Sequence, residues 1–61
     1  MFILVQEPSG EESKRAFEAL DDALGTEEFS EATARKVMAE HGFGKDMLER
    51  LVDGGYVSET D

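Results

Sequence analysis

The sequence predicts a mainly α-helical domain with a minimal β element, in the order β-α-α-α-β: three helices bundled together and closed by a short two-stranded sheet. Three observations predict it. Apolar residues recur at helical spacing in three segments. Serine or glycine stands where each of those segments would start or stop. An apolar, partly β-branched run, Phe2-Ile3-Leu4-Val5, opens the chain, and Tyr56-Val57-Ser58 follows a Gly-Gly pair near its other end. The chain has 61 residues, which is room for one small domain and for little buried surface.

Residues 1–6 read as a strand stopped by Pro8 and Gly10. Side chains alternate across a strand, so Phe2 and Leu4 face one way and Ile3 and Val5 the other. Both faces are apolar, and a domain this small supplies cover for one of them. This predicts a homodimer or partner interface through Phe2, Ile3, Leu4 and Val5. Residues 11–24 read as the first helix, with Ser9 or Ser13 as its cap and Glu11 and Glu12 at its positive end. Phe17, Leu20 and Leu24 face inward with Ala16 and Ala23 beside them, and Gly25 is the stop. Residues 31–41 read as the second helix. Ser30 caps it, Phe29 packs on Ala34 as a hydrophobic staple, and Ala34, Val37, Met38 and His41 form a narrow inward stripe ended by Gly42. Residues 45–53 read as the third helix, with Met47, Leu48, Leu51 and Val52 inward and Lys45, Asp46, Glu49, Arg50 and Asp53 outward. After Gly54-Gly55, residues 56–58 form a second strand that pairs with residues 1–6, and the tail to Asp61 frays.

The chain carries 15 Asp or Glu against 6 Lys or Arg, a formal charge of −9. High charge with few apolar residues produces disorder, but here the apolar residues are patterned. The composition resembles that of proteins from extreme halophiles. In multimolar salt the Debye length falls to about 3 Å or less and carboxylate repulsion is screened; in dilute buffer it opposes folding. A third reading is a nucleic-acid mimic or an acidic partner of a basic surface. The charge is uneven: residues 1–29 sum to −6, whereas residues 30–53 sum to only −1.

Taken together, Phe29-Ser30, the second helix, Gly42-Phe43-Gly44, the Leu48-x-x-Leu51-Val52 face of the third helix and the Gly55-Tyr56-Val57 step resemble the helix-turn-helix core of winged-helix domains. The resemblance covers about half the chain. The first helix supplies the third member of the helix-turn-helix bundle, and two helices joined by so short a Gly-containing turn cross steeply. There are departures. The second wing strand of that family has no counterpart in these residues, and the strand at 1–6 precedes all three helices, where the family places its first strand between the first two. The resemblance implies a small DNA-binding regulator acting as a homodimer, with two third helices about one turn of duplex apart, roughly 34 Å. Arg35, Lys36, Lys45, Glu49 and Arg50 are the candidate contacts. Arg35, Lys36, Lys45 and Arg50 are the cations that would meet phosphate; the third helix otherwise exposes more acid than base. The alternative is a winged-helix-like protein-interaction module that binds no DNA. A weaker likeness, of His41-Gly42-Phe43 to the Met-Gly-Phe loop of ubiquitin-associated three-helix domains, lacks the Met.

No enzyme chemistry is legible. There is no Cys, His41 is the sole imidazole, and a zinc site would need carboxylates alone. The pairs Glu11-Glu12, Asp21-Asp22 and Glu27-Glu28 lack calcium-loop spacing, and Gly42-Phe43-Gly44-Lys45 lacks that of a phosphate loop. No metal and no cofactor is expected. The five-residue apolar run at the start is too short for a bilayer span or a secretory signal, so a soluble cytoplasmic protein with no membrane partner is expected.

Overall fold

The computed structural model describes residues 1–60. The element order is β1 (Phe2–Leu4), α1 (Glu11–Leu24), α2 (Glu31–Glu40), α3 (Met47–Asp53) and β2 (Val57–Glu59). This is the predicted β-α-α-α-β chain, mainly helical, with the two strands antiparallel. Phe2 stands opposite Glu59, Ile3 opposite Ser58 and Leu4 opposite Val57. The Val5 N–H donates to the Tyr56 carbonyl (2.9 Å) and the Thr60 N–H to the Met1 carbonyl (2.7 Å), so pairing runs past both ends of the strands. Residues 58–60 are therefore held by the sheet and do not fray as expected; the remainder of the expected tail, Asp61, lies outside the described residues.

One core holds the elements together. It is built from Ala16, Ala19 and Leu20 of α1, Phe29, Ala34, Val37 and Met38 around α2, Met47, Leu48 and Leu51 of α3, and Val57 of β2. Leu20, Leu51 and Val57 are the largest fully enclosed side chains. The i, i+3, i+4 spacing places the inner face of each helix as expected, with local exceptions. On α1 it is Ala19 that is buried, whereas Ala23 is exposed. His41 is also exposed and does not join the inward stripe. It stands one residue past α2 as its cap, its backbone N–H shared between the Val37 and Met38 carbonyls (3.2 Å each).

The caps explain the helix boundaries. Ser30 caps α2, its hydroxyl accepting from the Thr33 N–H at 3.2 Å, which satisfies one of the donors a helix start leaves free. α1 begins after Gly10 with no side-chain cap, so neither Ser9 nor Ser13 fills the role foreseen. α3 starts at Met47, two residues later than expected. Lys45 and Asp46 instead form a turn, closed by the Met47 N–H donating to the Gly44 carbonyl (3.3 Å). At the exit of α3, Gly54 lies so close to the Tyr56 ring that an added Cβ would sit 2.5 Å from it, and Gly55 adopts φ +80°, a conformation open to glycine at little cost. That pair turns the chain sharply from α3 into β2.

β1 has a second neighbour that the sequence did not disclose. The Phe2 N–H donates to the Phe29 carbonyl (2.7 Å) and the Phe29 N–H to the Phe2 carbonyl (2.9 Å), a one-residue antiparallel bridge. The two rings stack with centroids 6.2 Å apart. β1 is thus flanked by Phe29 on one side and β2 on the other.

Candidate functional site

The helix pair α2–α3 and the six-residue connection between them, residues 41–46, carry the candidate contacts, and the structure separates them. Arg35 leans toward the connection: its Nη1 donates to the Lys45 carbonyl (2.9 Å) and its Nη2 pairs with Glu31 Oε1 (3.2 Å). One guanidinium thereby ties the first turn of α2 to the end of the connection. Arg50 turns the other way, toward α1, where its Nη1 meets Glu12 Oε1 at 3.3 Å. Both ion pairs are exposed, so each contributes little to stability. Lys36 is exposed and follows Arg35 by about 100° around α2. The four cations are therefore not gathered at one place: Arg35 and Lys45 border one cleft, whereas Arg50 turns to Glu12 of α1.

Two depressions lie beside Arg35. The first is a hollow of about 390 Å³ between α2, α3 and the sheet. Phe2, Leu48 and Val52 give it apolar walls, and Glu31, Glu49, Asp53 and Glu59 line it with Arg35 as its one cation. Glu49, the acidic member of the candidate contact set, lines this hollow together with Asp53, one turn further along α3. The second is an apolar cleft of about 300 Å³ where α2 runs into the connection, lined by Met38, Ala39, Phe43, Gly44 and Leu48 with Arg35 and Lys45. Phe43, read from the sequence as part of the Gly42-Phe43-Gly44 turn, packs on the core with one side and faces this cleft with the other. Phe43 is only half buried. The signal that would have found the cleft is the small residues around that ring, Ala39, Gly42 and Gly44, which leave its flank uncovered.

The N-terminal strand divides its side chains as alternation requires. Phe2 and Leu4 pack against the core. Ile3 is half buried, and Val5 (57% exposed) and Met1 (50% exposed) are the exposed large apolar residues. Met1, Ile3 and Val5 thus form an apolar strip on the outer face of the sheet. Among the described residues no three His, Asp or Glu side chains gather as a metal site would require, and no helix is long and apolar enough to cross a membrane. No protein-family model, curated protein or solved structure matches this chain.

Proposed function

We propose that this chain is a winged-helix-like protein-interaction module that works as a homodimer. The observation that carries the reading is the make-up of the surface flanking α3: four carboxylates and one guanidinium around apolar walls. Phosphate is repelled by such a surface, whereas a mixed apolar and charged face is suited to a protein partner. The homodimer rests on the outward strip of Met1, Ile3 and Val5, which a second copy would cover.

A second reading, a homodimeric helix-turn-helix DNA-binding regulator, is favoured by the succession of α2, the connection and a short α3 whose outward side chains are exposed. Its contacts would be Arg35, Lys36, Lys45, Glu49 and Arg50. One experiment decides between the two: amide NMR with light scattering, in 0.1 M and 3 M KCl, with and without a randomised duplex. The interaction module predicts a dimer whose amides at residues 1–5 shift with protein concentration, and no DNA-induced shifts at either salt. Saturable DNA shifts confined to residues 35–50 would overturn it in favour of the regulator.

A further inference from the structure

Resting on the interaction-module reading, we infer that the cleft between α2 and the 41–46 connection is a docking site for an acidic segment of a partner protein that inserts one bulky apolar side chain. The floor is apolar: Met38 and Leu48 are buried beneath it, and Ala39 and the exposed flank of Phe43 form its walls. A volume of about 300 Å³ is at the lower limit of ligand sites, roughly 300–1,000 Å³, and accepts a single large side chain with little else.

The rim sets the charge of the occupant. On a chain of net charge −9, the residues lining this cleft include two cations and no carboxylate; Glu31, paired with Arg35, and Asp46, beside Gly44, stand just outside it. The Arg35 guanidinium is already braced by the Lys45 carbonyl and Glu31, which fixes its position at low entropic cost to a ligand. The Lys45 ammonium has no ion-pair partner among the described residues and is free for a carboxylate. A basic segment would be repelled by the unpaired Lys45 ammonium, an acidic one attracted. The exposed large apolar residues of a second copy, Met1 and Val5, are assigned above to the strip that the homodimer covers, which leaves the cleft to another protein. In concentrated salt the long-range repulsion between two acidic partners is screened, while apolar insertion and close charge contact persist.

The test uses the full chain and capped pentapeptides of the form Asp-Asp-X-Asp-Asp, with X as Leu, Phe or Ala, and a Lys-Lys-Leu-Lys-Lys control, titrated by amide NMR in 1 M KCl. The Leu and Phe peptides are expected to give saturable shifts centred on residues 35–48. The Ala peptide should bind about thirtyfold more weakly, the loss of one buried side chain. Lys45→Glu should weaken the Leu peptide by about fivefold or more. Ala39→Phe, at an exposed position, plugs the cleft and should abolish the shifts while the remaining spectrum reports an intact fold. Absence of shifts at residues 35–48 with every acidic peptide overturns the docking site. If the Lys-flanked peptide binds instead, near Glu49 and Asp53, the docking site fails but the interaction-module reading survives. If only duplex DNA shifts these residues, both fail.

Discussion

Replacing Phe2 with Ala tests whether the N-terminal strand belongs to the core. The Phe2 ring stacks on Phe29, packs against the buried cluster and walls the hollow beside α3, so its loss loosens three segments at once. Truncating a fully buried Phe costs about 3–5 kcal/mol. Phe2 is half buried, which lowers the expectation to about 2–3 kcal/mol. A domain of this size has a total stability of only about 3–9 kcal/mol, at roughly 0.05–0.15 kcal/mol per residue. In urea, with a slope near the low end of the usual range, about 1 kcal/mol/M, the midpoint should fall by about 2–3 M. In a thermal scan the same loss lowers Tm by roughly 10–20 °C. The assay is circular dichroism at 222 nm in 3 M KCl, with Val5→Ala alongside. Val5 is 57% exposed and points away from the core, so its truncation should cost the fold under about 0.5 kcal/mol while weakening self-association. If Phe2→Ala costs no more than Val5→Ala at a protein concentration where both are monomeric, the strand is not part of the core and the assignment of its two faces is refuted.

Three further outcomes follow from the same structure. Raising KCl from 0.1 M to 3 M should raise Tm: at 0.1 M the Debye length of about 10 Å spans a large part of a molecule measuring 28 × 22 × 19 Å, so its carboxylates repel collectively; an unchanged Tm would show that net charge does not limit the fold. Ser30→Ala should cost about 1 kcal/mol through loss of the bond to the Thr33 N–H, whereas Ser9→Ala, which removes no cap, should be neutral in the same urea titration. Arg35→Lys removes the fork that spans Glu31 and the Lys45 carbonyl; hydrogen exchange at Phe43 and Met47 should quicken by about fivefold, with little change in global stability.

Helical phase and punctuation carried most of the fold. Leu20, Ala34, Val37, Leu48 and Leu51 lie inward because each sits on the apolar side of its own helix, a property local to the sequence. The errors arise where a residue's fate depends on something distant. His41 has the phase of a buried residue, but α2 ends one position before it, and the chain turns away to form the connection. Gly10, not a serine, stands at the N-cap of α1, which starts without a side-chain cap. Arg35 and Arg50 both belong to the near-neutral segment, yet periodicity says nothing about which neighbour a surface cation meets; Arg35 meets the connection and Arg50 meets α1. The Phe2–Phe29 bridge was illegible for the same reason. A bridge of one residue has no period, and its partner is chosen by the packing of the three helices.

That bridge also bears on how the chain reaches its native state. β1 and β2 come from opposite ends of the sequence, so their pairing demands closure of nearly the whole chain, the costliest kind of loop to shut and the kind that slows folding. Phe29 lies near the midpoint of that circuit and bonds to the same strand. The Phe2–Phe29 bridge divides the circuit closed by β1 and β2 into two loops, one around α1 and one around α2 and α3, each shorter than the whole and so less costly in chain entropy to close.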